Sequence, residues 1–246
     1  MHIKEKINVA QIGVGYWGPN LLRNLMSNDN CTVSKVLDLS KERQEFVKKL
    51  YPSVSVTTDI NEIINDDNIH AVVVSTPVKT HFEIAMRCLK AGKHILVEKP
   101  MATTGEEVSQ ISKVALDNKL VAMVGHTFLY NSAVRYIKKM IDQNELGNLR
   151  YIYSQRVNLG RIRSDVDALW NLAPHDISII QYWLDEPDPI SIDTHGMDFV
   201  QKGVDDVVFM NIKYPKNILA NIHVSWLDPH KIRKMTIVGS EKMVVY

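Results

Sequence analysis

Short apolar runs and amphipathic stretches alternate through the first half of the chain. Runs at 7–12, 32–37, 70–74, 95–97 and 120–125, with a weaker one at 53–56, predict six short strands. The valines of 72–74 are continuous, as in a strand covered on both faces. Leucines at helical spacing follow the first run over 19–26, and helices are expected at 40–50, 81–91 and 104–118, with a short one after 59. Asp59 with Glu62, Thr80, and Thr104 with Glu107 supply start signals, and Gly92 supplies a stop. Strands alternating with helices imply right-handed crossovers and a doubly wound parallel sheet, the first domain, over 1–125.

The pattern changes at 126. An amphipathic helix at 132–143 precedes a long strand at 149–157, and 158–170 reads as polar and irregular. Pro174 suits the first turn of a helix running to about 184. Strand-like runs at 190–199, 204–213, 218–226, 232–239 and 242–246 are joined by short turns such as 214–217. The second domain, 126–246, is therefore expected to be α+β with a mostly antiparallel, open sheet. Too few helices are present to cover both faces, so the open face is a candidate subunit interface. The last run stops in mid-pattern, which leads to the expectation of a chain truncated at its C-terminus.

Composition narrows the class. The chain has 246 residues, 45% hydrophobic and 23% charged, which accommodates two modest domains. A net charge of +1 gives no electrostatic footprint for nucleic acid, and no apolar run is long enough to span a bilayer. Neither nucleic acid nor membrane is expected as a partner. Two distant cysteines, Cys31 and Cys88, form no CxxC pair and favour a reducing, cytoplasmic setting. His94, His223 and His230 read as structural, because no His/Asp/Glu cluster has metal-site spacing.

The chemistry concentrates at strand ends. Gly13-Val14-Gly15-Tyr16-Trp17-Gly18 lies between the first strand and the first helix. In that context the first glycine permits a tight turn, the second admits a pyrophosphate to the backbone, and the third allows close helix–strand packing. Asp38 ends the second strand twenty residues beyond Gly18, where a carboxylate binds ribose hydroxyls. It favours NAD, although Lys41 and Arg43 close behind leave NADP open; the alternative for Asp38 is a helix cap. Ser75-Thr76-Pro77 and Glu98-Lys99-Pro100 each follow a strand and stand at the carboxyl edge, where open α/β sheets place their ligands. Asn171 reads equally as a helix cap or a substrate contact. Arg161 and Arg163 fit either a carboxylate or diphosphate held by bidentate contacts, or a solvated loop.

These motifs, with His81 after Ser75-Thr76-Pro77 and with Ala173-Pro174-His175-Asp176, resemble the glucose–fructose oxidoreductase/inositol dehydrogenase/MocA family over essentially the whole chain. Residues 15–20 and 158–176 resemble the branch that oxidises nucleotide sugars at C3, of the UDP-N-acetylglucosaminuronic acid 3-dehydrogenase type. The resemblance implies a Rossmann domain and an α/β domain whose sheet supports a homodimer or homotetramer. It implies an NAD site drawing on Gly13, Gly15, Tyr16, Trp17, Gly18, Asp38, Ser75, Thr76, Pro77, His81, Glu98 and Lys99. It implies catalysis by Lys99 and by His175, at the start of the second-domain helix, with Arg161 and Asn171 on the substrate. Many members carry an aspartate where this chain has Asn171, which can hydrogen-bond a sugar hydroxyl but holds no charge.

The expected reaction is hydride transfer from a secondary hydroxyl of a sugar to the nicotinamide. His175 is the expected base and Lys99 the stabiliser of developing alkoxide. Pro100 is expected to turn the backbone so that Lys99 faces the nicotinamide, through a cis peptide. Two alternatives stay open: an NADPH-dependent ketosugar reductase, and a non-catalytic cofactor-binding sensor on the same fold.

Overall fold

The computed structural model describes residues 6–160, 162–164 and 166–246. The chain forms two compact units, Met1–Gly125 and His126–Tyr246.

The first unit is built on β1 (Ile7–Ile12), β2 (Cys31–Leu37), β3 (Ser55–Thr57), β4 (Ala71–Val74), β5 (His94–Val97) and β6 (Ala122–Val124). They form one parallel sheet in the order β3-β2-β1-β4-β5-β6. The order reverses between β1 and β4, and the loops that follow these two strands flank that switch point. The helices are α1 (Gly18–Met26), α2 (Lys41–Leu50), α3 (Asn61–Ile64), α4 (His81–Lys90) and α5 (Gly105–Asp117). Val72, Val74, Ile95 and Val97 of the central strands bury against Ala85, Leu89 and Ile111 of α4 and α5. Val33, Val36 and Val47 form a second cluster with Leu22 of α1.

Several start signals act differently from their sequence reading. Thr104 accepts from the Glu107 amide as expected, but the Glu107 carboxylate reaches back to Thr103. Asp59 and Glu62 form no capping box: Ile60 holds the N-cap position, the Asp59 carboxylate accepts from the Asn61 amide at the start of α3, and Glu62 takes the Thr57 hydroxyl instead of the Asp59 amide. Thr80 caps nothing, because its hydroxyl donates to the Pro77 carbonyl. Gly92 takes a φ of 75°, the left-handed conformation that ends a helix.

The second unit contains α6 (Ser132–Asp142), β7 (Leu149–Leu159), α7 (Ala168–Trp183), β8 (Ser191–Met197), β9 (Val207–Tyr214), β10 (Ile218–Ser225), β11 (Leu227–Gly239) and β12 (Met243–Val245). Its sheet runs β12-β11-β7-β10-β9-β8, antiparallel except between β7 and β10. Ile152, Ala220, Ile222, Val224 and Met210 point to one face and pack with Ile179, Ile180 and Trp183 of α7. The Trp183 indole donates to the Val134 carbonyl at 2.9 Å and ties α7 to α6. On the other face Tyr151, Phe209 and Leu219 stay exposed.

The expected helix start at Pro174 is corrected. α7 begins six residues earlier, where Asp167 accepts from the Trp170 amide and caps the first turn. Pro174 lies inside the helix and cannot donate to the Trp170 carbonyl. Asn171 is therefore within α7 rather than its cap, and His175 sits well inside it rather than at its start. The helix is held by the burial of Ala168, Leu172, Ala173, Ile179 and Ile180, which outweighs the local cost of the proline.

One ion pair anchors α7 to the sheet. The Arg156 guanidinium of β7 donates to both oxygens of Asp176 at 2.8 and 2.7 Å. The two residues are 5% and 1% exposed. Removing one partner leaves the other charge buried and unpaired, so Asp176→Ala is expected to lower unfolding free energy by about 3–5 kcal/mol in urea denaturation. The double replacement Arg156→Met/Asp176→Leu is expected to recover most of that loss.

Candidate functional site

The glycine turn is positioned by polar groups buried beneath it. Gln11, fully buried in the apolar β1, donates through Nε2 to the Gly13 and Gly18 carbonyls, each at 2.9 Å. The Ser75 hydroxyl donates to the same Gly13 carbonyl at 2.7 Å, so the β1–α1 turn and the end of β4 share one acceptor. Gly13 has a φ of 91°, and a Cβ there would lie 2.8 Å from the Ser75 carbonyl oxygen. A Cβ on Gly18 would lie 2.6 Å from the Gly13 carbonyl oxygen. Gly15 differs: a Cβ there meets nothing within 4 Å, because its backbone faces open space.

That space is a cavity of about 750 Å³. Of the expected cofactor residues, Gly13, Gly15, Asp38, Ser75, Thr76 and Pro77 line it. Ile12, Leu39, Arg43, Thr58, Ile84 and Arg87 complete much of its wall. The Asp38 carboxylate accepts from the Val14 amide at 2.7 Å and from the Ser40 amide at 2.9 Å. Ser40, not Asp38, caps α2; Asp38 supports that start through the Ser40 amide and holds the glycine turn through the Val14 amide. Each carboxylate oxygen keeps a further lone pair for a ribose hydroxyl. Cradle, carboxylate and cavity size fit a dinucleotide.

Tyr16, Trp17, Gly18, His81, Glu98 and Lys99 lie outside this lining. Tyr16 is 90% exposed. The Trp17 indole donates to the Glu98 carboxylate, joining the glycine turn to the segment after β5. Glu98 also accepts from the Lys99 amide at 3.2 Å. Burial pushes the Glu98 carboxyl up, against the lowering effects of the Lys99 amide, the Lys99 charge and the Trp17 bond. The Lys99–Pro100 peptide is cis, as expected. His81 is buried, with both ring nitrogens on backbone carbonyls.

In the second unit the Phe128 ring meets the His175 ring edge-on at 4.9 Å, and the Arg156 guanidinium lies over the Phe128 ring, 4.9 Å from its centroid. Asp176, next to His175 in α7, takes the Arg156 fork, so the histidine's helix is fixed in rotation. The Trp226 indole donates to Asn171 Oδ1 at 3.4 Å. Arg161 lies outside the described residues.

Sequence reasoning missed Gln11, Trp226, Arg156 and the Arg87–Thr58 wall. A glutamine inside an apolar strand was a readable signal for the first. The others depend on which elements become neighbours, and no spacing in the chain encodes that.

A β3-β2-β1-β4-β5-β6 parallel sheet with a glycine turn at its switch point, followed by an α+β unit, defines the class as a dinucleotide-binding oxidoreductase fold. The chain belongs to the Gfo/Idh/MocA family: residues 7–126 match its "oxidoreductase family, NAD-binding Rossmann fold" model and residues 134–245 match its "C-terminal domain" model. Among relatives, it is 33% identical over 171 residues to the scyllo-inositol 2-dehydrogenase (NADP(+)) IolW of Bacillus subtilis (strain 168), covering 68% of this chain and 47% of that protein. It is 30% identical over 184 residues to the 4-carboxy-2-hydroxymuconate-6-semialdehyde dehydrogenase of Sphingobium sp. (strain NBRC 103272 / SYK-6), covering 72% of this chain and 58% of that one. The chain thus spans about half the length of these curated relatives. The crystal structure of GenD2 from gentamicin A biosynthesis in complex with NAD superposes with a TM-score of 0.91 at 22% identity, over all of this chain and 73% of that one.

The glycines separate fold from binding. Gly13→Ala is expected to lower the melting temperature, since both φ and the Ser75 carbonyl oppose it. Gly15→Ala is expected to leave the melting temperature unchanged while weakening NAD binding, measured by calorimetry, because its methyl enters the cavity.

Proposed function

We propose that the protein oxidises a secondary hydroxyl of a sugar or cyclitol, passing the hydride to NAD or NADP. The observation that carries this is the open cradle at Gly15 beside the Asp38 carboxylate, in a cavity of about 750 Å³ at the carboxyl edge of the sheet. The nicotinamide, when bound, supplies the hydride acceptor. Gly13 and Gly15 would hold the pyrophosphate, Asp38 the ribose hydroxyls, and Ser75, Thr76 and Pro77 the opposite wall.

His175 takes the hydroxyl proton, and its contact with Phe128 fixes the plane of the ring. Lys99 would stabilise the negative charge that develops as the hydroxyl loses its proton. Asn171, oriented by the Trp226 indole, contacts substrate. Asp38 favours NAD, and Arg43 in the same wall offers a partner for a 2′-phosphate. The narrower reading, a nucleotide sugar oxidised at C3, rests on residues 15–20 and 158–176 alone.

The open face of the second sheet supports a second proposal, that two copies associate there as a homodimer or homotetramer. Phe209 and His223 stack on it at 4.2 Å beside exposed Tyr151 and Leu219. Cys31 and Cys88 are free thiols, and burial pushes the Cys88 thiol up to about 12. No helix among the described residues is long and apolar enough to cross a membrane.

The test of activity is absorbance of reduced nicotinamide with NAD and NADP against free cyclitols, sugars and UDP-sugars. Turnover is expected, with Lys99→Ala and His175→Ala each lowering kcat by roughly 10²–10⁴-fold. Full turnover in either variant would remove its assigned role, and turnover on free cyclitols alone would remove the nucleotide part. Sedimentation tests assembly: Leu219→Glu is expected to convert the assembly to monomer, and an unchanged mass would place the interface elsewhere.

A further inference from the structure

His81 opens α4 and is 1% exposed. Its Nδ1 lies 2.8 Å from the Pro100 carbonyl oxygen, and its Nε2 lies 2.8 Å from the Thr76 carbonyl oxygen. A backbone carbonyl only accepts, and a neutral imidazole carries a single N–H. A neutral ring would satisfy one oxygen and turn a lone pair toward the other. Both contacts are hydrogen bonds together only when both nitrogens carry protons.

The two oxygens belong to segments with different work. Thr76 lies in the cavity wall after β4. Pro100 directly follows Lys99 after β5. The ring is thus a side-chain bridge between the cofactor wall and the segment that carries the lysine. The turn it binds is already firm, since the Thr76 and Thr80 hydroxyls pair at 2.7 Å and Thr80 donates to the Pro77 carbonyl.

Charge around the ring is mixed. Lys79 precedes it, Glu83 follows on α4, Glu98 and Lys99 lead into Pro100, and α5 brings Glu106 and Glu107. Among the described residues no carboxylate forms an ion pair with the ring, and Glu107 is engaged by Thr103.

We propose that His81 is a positioning residue that, with both ring nitrogens protonated, ties the Thr76 wall of the cofactor cavity to the Lys99–Pro100 segment. The proposal rests on the dinucleotide reading given above. Loss of one ring proton releases one of the two carbonyls and loosens the wall against the bound nucleotide.

The test uses the full chain labelled with ¹⁵N-histidine and free of nucleotide. Ring signals are assigned through ring-to-backbone correlations and followed from about pH 6 to about pH 9, either side of the ordinary imidazole titration. Two N–H signals are expected for His81 at the acid end. The Kd for NAD, read from tryptophan fluorescence, is expected to rise roughly fivefold over the interval in which one of them is lost, the effect of giving up one hydrogen bond. His81→Gln, which keeps one donor, is expected to bind NAD weakly at every pH and to lose the pH dependence. A single N–H on His81 throughout overturns the proposal, as does a Kd indifferent to the ring's proton. Two N–H signals with no NAD binding at any pH overturn the dinucleotide reading, and with it the role of the bridge at this cavity.

Discussion

The first unit depends on one shared acceptor, the Gly13 carbonyl. Gln11 reaches it from beneath and Ser75 from the neighbouring strand, so the tight turn after β1 is welded to the end of β4 at the switch point of the sheet. Buried polar groups of this kind are tolerated because each donor finds its oxygen, and they fix one backbone path where apolar contact alone would allow several. Asp38 extends the arrangement to β2, and the Trp17–Glu98 bond extends it to β5. Four strand ends are therefore bound into one frame before any nucleotide arrives. Preorganisation of that sort is what keeps the cost of ordering low when a flexible cofactor binds.

The second unit solves a different problem. Among the described residues its sheet carries helices on one face, and α7 is both the lid of the core and the carrier of Asn171 and His175. Burial of Trp183 and the isoleucines holds the helix down, while the Arg156–Asp176 fork sets its rotation. A proline inside such a helix is affordable because tertiary packing, not helix propensity, supplies most of its stability.

Much of this was legible in the chain. Apolar runs of strand length, separated by amphipathic stretches, are written by the local need to bury one face, so the parallel sheet and most strand positions could be read directly. The glycine turn, Asp38 and the two strand-end motifs followed from the topology that places them at the carboxyl edge. Helix starts were less legible, because Asp59 and Thr80 had other oxygens and amides within reach and used them. Pro174 misled for a related reason: its preference for a first turn is weak against the buried face that begins at Ala168. Arg156, Trp226 and the carbonyl partners of His81 lie far from their partners in sequence, and only the folded chain brings them together.

The fork between Arg156 and Asp176 also bears on how this chain can change over generations. One residue added to or lost from α7 turns everything beyond it by about 100° about the helix axis. An insertion between Asn171 and Asp176 would have to choose between keeping the carboxylate on its guanidinium and keeping Asn171 against Trp226, and a change of that kind cannot be absorbed gradually. The spacing from Asn171 to Asp176 is therefore expected to be far less free to drift in length than the exposed turn at Pro215–Asn217, where left-handed Lys216 and Asn217 carry no such registration.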